Sequence, residues 1–141
     1  MRVTAAMPFE FRWIAERTGV VPTANARALK AVDAAGRIRG MVLYENWTPN
    51  SVQAHMAVDT PIAWRTLVGP AFAYPFDECG RGLLLAIVSA DNPRSLSLVR
   101  RFGFTEQHRV RDGWAAGVDL ILFEMRRADC RWLAGHERKA A

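Results

Sequence analysis

Only two cysteines, Cys79 and Cys130, occur in the 141 residues, too few for a disulfide framework or a paired-cysteine metal cage. The three histidines do not add metal-ligand spacing to them. No apolar run approaches the roughly 18 residues of a membrane span. The longest, Leu83 to Val88, is of strand length. The first residues, MRVTAAMPFEFRW, hold no continuous apolar core of the leader type before Glu10 and Arg12 interrupt them. A cytoplasmic location is the expectation. Internal repeats, low-complexity linkers, a phosphate-binding glycine loop of the P-loop kind and a Ser-His-Asp order are also missing. Lysine is nearly absent as well: two against seventeen arginines.

What is present is globular. Half the residues are hydrophobic and 23% are charged, and this length suits one domain. The expected domain is residues 1–133, with a polar, frayed tail over 134–141. A net charge of +5 favours an anionic partner. The arginines are scattered rather than gathered in a block, and codon bias toward Arg and Ala would give the same count. Nucleic acid is therefore not the favoured partner.

The pattern predicts a short amphipathic helix over Phe9 to Arg17, stopped by Gly19. A three-strand meander follows: Ala28 to Asp33, Ile38 to Trp47 and Ser51 to Asp59. The third strand alternates cleanly. Val52, Ala54, Met56 and Val58 face one way; Gln53, His55, Ala57 and Asp59 face the other. Thr60 as N-cap and Pro61 at the first helical position then start a helix. Gly69-Pro70 and Pro75 are expected to interrupt or kink it. Leu83 to Ala90 reads as a buried strand. Asn92-Pro93 starts a further helix with Leu96, Val99 and Phe102 on one stripe, capped by Gly103. Strands over Phe104 to Arg111 and Val118 to Arg126 complete the chain, joined by a turn over Asp112 to Gly117. The expected fold is α+β, a mixed and largely antiparallel sheet of about six strands flanked by helices.

Within this frame one spaced set of residues is distinctive: Phe76, Gly80, Ala86, Val88, Asn92, Ser95, Gly103 and Phe104, followed by Asp119 and Met125. It resembles the Gcn5-related N-acetyltransferase family, most closely the branch that acetylates ribosomal-protein N-termini, and some phage-encoded members. The resemblance covers roughly Ala28 to Arg127, about 70% of the chain. It implies that the strands at Ser51–Asp59 and Leu83–Ala90 run parallel and splay apart to admit the pantetheine arm of acetyl-CoA. It implies acetyl transfer to a primary amine, on a small molecule or a protein N-terminus, by direct attack in a ternary complex. Two departures stand out. The family's glycine-rich pyrophosphate loop falls on Asp59-Thr60-Pro61-Ile62, which has no glycine. The tyrosine that many members use as general acid falls on Val99.

For catalysis the candidates are His55, whose ordinary pKa lies near working pH, and Glu45 on the neighbouring strand. Backbone N–H groups around Met56 to Val58 are the expected oxyanion donors. The resemblance adds Met56, Val58, Asn92 and Ser95 as contacts of the cofactor arm. Arg65, in the first turns of the helix after Pro61, is the candidate cation for the pyrophosphate. Each has a plainer role open to it: His55 a sheet-face residue, Glu45 a strand-end charge, Asn92 a helix cap. Trp64 either lines or blocks the cofactor mouth. Trp47, Trp114 and Trp132 read as core or rim, His108 and His136 as surface, and Cys79 as a small buried hydrophobe. A binding or assembly module that has lost its cofactor is the alternative function, and a homodimer is compatible with either.

Overall fold

The computed structural model describes residues 1–134. The tail beyond Ala134, including His136, lies outside the described residues. The strands are β1 (Arg2–Ala6), β2 (Arg27–Val32), β3 (Ile38–Glu45), β4 (Ser51–Val58), β5 (Leu83–Ser89), β6 (Thr105–Ala115) and β7 (Val118–Arg126). The helices are α1 (Arg12–Thr18), α2 (Pro61–Ala73) and α3 (Pro93–Phe102). The strands form one sheet in the order β1-β2-β3-β4-β5-β7-β6. Every neighbouring pair is antiparallel except β4 and β5. Their parallel relation requires a crossover, and α2 provides it.

Among the described residues there are seven strands where about six are expected. β1 is the addition: RVTAA is short, faces solvent at three of its five positions and carries little apolar signal, so pairing with β2 defines it. The N-terminal helix is also shorter than expected. A 3-10 turn takes Pro8–Glu10, α1 begins at Arg12, and Gly19 ends it at φ 75°. β6 runs on to Ala115 through the turn expected at Asp112. Asp112 takes φ 55°, and the register with β7 shifts between Val110 and Ala115, so the extra residues are absorbed as an irregularity within the strand.

Helix α2 continues through Pro70 to Ala73 and passes directly into a π-helical segment, Tyr74–Glu78. At Pro75 a tertiary contact replaces what the proline removes. Pro75 has no N–H for the Ala71 carbonyl four residues back. The Tyr44 hydroxyl donates to that carbonyl instead, at 2.5 Å and fully buried. Leu67, Phe72 and Phe76 hold the same segment to the sheet. Each such buried side chain contributes about 1.5–3 kcal/mol.

The two faces of the sheet have separate cores. On one, α2 and α3 cover Val42, Val52, Leu84, Ala86 and Val88. On the other, Phe11 and Ile14 cover Met41 and Leu43. β3 is buried on both faces, which accounts for its continuous apolar run.

Candidate functional site

β4 and β5 pair only at Ser51↔Leu83, Val52↔Leu84 and Gln53↔Leu85. Beyond Gln53 they part. Backbone groups alternate sides along a strand, so the groups left open are identifiable. Asp59 donates its N–H to the Arg39 carbonyl on the β3 side, at 2.8 Å, and the Asn50 carbonyl accepts from Leu83 on the β5 side, at 3.0 Å. Even-numbered β4 residues therefore turn their N–H and C=O toward β5. For Met56 and Val58 no strand stands opposite. On β5 the Ala90 N–H goes to Asp119 on the β7 side, so Ile87 and Ser89 turn toward the same gap, where the Ser89 carbonyl already accepts the Asn92 N–H at 3.1 Å. The gap offers a strand-like ligand an edge on either side.

The gap opens into a cavity of about 520 Å³ that reaches both faces of the sheet, within the range of small-molecule sites. On the α2/α3 face its walls include Met56, Val58, Val88 and Val99; on the other they include Arg17, His55 and Ser89, and Trp114 of β6 also lines it. Asn92 and Ser95 line it at the start of α3. Of the residues singled out in the sequence, His55, Met56, Val58, Asn92 and Ser95 thus meet at one cavity. Arg65 does not line it and stands exposed on α2. Arg94 is the arginine at the α3 wall.

His55 and Glu45 are diagonal neighbours on the α1 face, since Leu43 pairs with His55 and Glu45 with Gln53. His55 Nε2 lies 2.9 Å from Glu45 Oε2. Neither atom has an aligned hydrogen-bond partner among the described residues, so the pair is close but the ring N–H is off line with the carboxylate. Glu45 is 5% exposed. Burial lowers the His55 pKa below its ordinary 6.5, and the Glu45 carboxylate pulls it partly back. The imidazole is neutral at neutral pH, borders the cavity and has an acid behind it.

The two helix N-termini at the cavity are capped from within. Thr60 Oγ1 accepts the Ala63 N–H at 3.1 Å, and Asn92 Oδ1 accepts the Ser95 N–H at 3.1 Å. Asp59 is held by Arg17 Nε and Nη2 at 3.0 and 3.2 Å. Arg17 also covers the Trp13 ring, 3.6 Å from its centroid. Trp64 neither lines nor plugs the cavity. It stacks on Phe102, centroids 4.2 Å apart, and so bridges α2 to α3.

Arg94 and Trp114 are cavity residues that the sequence pattern does not single out. Arg94 lies outside the apolar stripe of α3, as expected, but that position does not say what the polar side of the first turn meets. Trp114 reaches the cavity from β6 only because that strand outruns its expected end. The histidine at 108 is exposed, as expected.

No protein-family model matches the chain, and no curated protein matches it. Solved structures do. The spermidine/spermine N-acetyltransferase SpeG from Vibrio cholerae, in glutamate-to-glutamine mutant forms, aligns with a TM-score of 0.73 at 15% identity, over 89% of this chain and 94% of that one. The same enzyme in complex with manganese ions aligns at 0.72 and 16%, over 89% and 92%. A dodecameric structure of the Vibrio cholerae spermidine N-acetyltransferase in an intermediate state aligns at 0.70 and 16%, over 89% and 93%. With its parted parallel strands and near-complete mutual coverage, the chain has the fold of the Gcn5-related N-acetyltransferases.

Proposed function

We propose that the protein is an N-acetyltransferase that moves an acetyl group from acetyl-CoA to a primary amine by direct attack in a ternary complex. The observation that carries this is the gap between β4 and β5. Its open backbone groups at Met56, Val58 and Ile87, with the Ser89 N–H, suit the amides of a pantetheine arm, and His55 borders the same cavity. The residues present fit that arm, with Asn92 and Ser95 at its wall.

The amine must be neutral to attack. His55 takes its proton, directly or through a water, and Glu45 steadies the imidazolium that forms. The N–H groups of Met56 and Val58 are the available donors for the oxyanion of the tetrahedral intermediate. Collapse of that intermediate expels the thiolate; Val99 supplies no acid for it, so solvent protonates it to the thiol.

The acceptor is a primary amine on a small molecule or a protein. The named activity of the structural neighbours keeps polyamines in view, and the resemblance to the ribosomal-protein branch keeps protein N-termini. The capped helix at Thr60 favours a second reading, a binding module without catalysis. Thiol release from acetyl-CoA in the presence of an amine panel decides between them. Turnover abolished by His55→Ala supports the enzyme. No binding of acetyl-CoA at millimolar concentration selects the module.

A further inference from the structure

The end of the gap where a CoA pyrophosphate would emerge is poorly suited to it. In the first turn of α2, Pro61 has no N–H, Ala63 donates to Thr60 Oγ1, and Trp64 donates to the Thr60 carbonyl. Ile62 keeps the one uncommitted N–H of that turn. The carboxylate that precedes it, Asp59, already engages Arg17, which therefore offers no free charge there. The turn cannot recede to make room: a Cβ on Gly40 would already meet Val58 at 3.1 Å and Ala63 at 3.3 Å. The space between α2 and α3 is filled too. Trp64 stacks on Phe102, Trp132 stacks with Phe72, and Trp132 Nε1 donates to the Phe102 carbonyl at 2.8 Å. By contrast, Arg94 lines the cavity and, among the described residues, has no carboxylate partner.

Building on the proposed acetyl transfer, we infer that the acyl donor is recognised as a 4′-phosphopantetheine thioester, its amides along the open edges of β4 and β5 and its single phosphate beside Arg94, with the adenosine portion of CoA contributing nothing to affinity. One cation matches one phosphate, whereas a pyrophosphate cradle needs several converging N–H groups. The same arm occurs on free CoA and on carrier proteins. Either source presents the chemistry this cavity reads.

Titration calorimetry on the full chain with acetyl-CoA, S-acetyl-4′-phosphopantetheine and S-acetylpantetheine tests this. The first two are expected to bind within about three-fold of each other. Loss of the phosphate costs about ten-fold, as one charge-assisted contact would. Arg94→Gln removes that ten-fold difference and leaves S-acetylpantetheine affinity unchanged. Acetyl-CoA binding about 100-fold tighter than its phosphopantetheine fragment overturns the inference while leaving the transferase reading intact. Failure of all three to bind overturns the transferase reading itself. An acetylated carrier protein added as a fourth donor separates the sources. A kcat/KM about ten-fold above that of acetyl-CoA assigns a carried arm, and parity assigns the free one. A carrier protein used ten-fold worse than acetyl-CoA counts against recognition by the arm alone.

Discussion

His55 Nε2 stands 2.9 Å from Glu45 Oε2 across the β3–β4 ladder, with the imidazole bordering the cavity and the carboxylate buried behind it. The register sets this relation: two residues along each strand separate Leu43 from Glu45 and Gln53 from His55, which makes the two side chains diagonal neighbours on one face. His55→Ala is expected to reduce kcat about 10²–10⁴-fold with the donor affinity unchanged. A silent substitution in an active enzyme would remove His55 from the chemistry.

The pH profile follows from the same pair. Burial lowers the His55 pKa, so the acidic limb of kcat/KM falls below the ordinary imidazole value of 6.5. Glu45 raises that pKa against the effect of burial. Glu45→Gln therefore moves the limb to still lower pH while reducing the rate. A limb that moves up would show that the carboxylate does not act on His55. In stability the sign is the same: the unfolded chain takes the proton first, so stability falls as pH drops from 6.5 through the folded value. His55→Gln flattens that slope in urea unfolding.

Tyr44→Phe leaves the Ala71 carbonyl without a donor, because Pro75 cannot replace the hydroxyl. The expected loss is about 1–3 kcal/mol in chemical denaturation. An unchanged midpoint would mean that α2 relaxes around Pro70 and Pro75 without this bond.

Lys30 Nζ lies 2.8 and 2.6 Å from the two oxygens of Glu10, tying the N-terminal turn to β2. The hydrogen bond from Lys30, then the one from the Met7 N–H, holds the Glu10 carboxyl below its ordinary 4.5. Its stabilisation is complete above that value and is lost as pH falls through the folded value. Glu10→Gln is expected to cost about 1 kcal/mol at pH 7, with the gap to wild type closing in acid. A constant gap from about pH 7 to about pH 3 would show that packing, not charge, makes the difference.

Trp114 is 59% exposed yet lines the cavity from β6. Trp114→Ala should raise the amine KM about five-fold with kcat retained, the pattern of lost uniform binding. A change in acetyl-CoA affinity instead would place this side chain on the donor path.

How much of this is legible in the sequence differs from element to element. β4 is announced by strict alternation, and that alternation puts His55 and Met56 on opposite faces, where they are. The starts of α2 and α3 are announced by Thr60-Pro61 and Asn92-Pro93, because caps are local chemistry. β1 is not legible, since Arg2–Ala6 becomes a strand only by pairing with β2. The continuation past Pro75 is not legible either: the donor that rescues the Ala71 carbonyl lies on Tyr44, 27 residues away. The closeness of Glu45 and His55 depends on register, which the side-chain pattern limits but does not fix. Arg65 is suggested by its place in the first turns of the helix after Pro61, but it stands exposed away from the cavity, which Arg94 lines instead.

The central claim is that the parted edges of β4 and β5 hold the donor. Amide hydrogen exchange at Met56 and Val58, followed by NMR with and without acetyl-CoA, measures this at the groups concerned. Their N–H groups face an unpaired gap in the free protein, and bound donor should slow their exchange about 10-fold or more, with Gln53 and Val52 in the paired part of β4 little altered. Saturating acetyl-CoA that leaves Met56 and Val58 exchanging at the free rate would contradict the account.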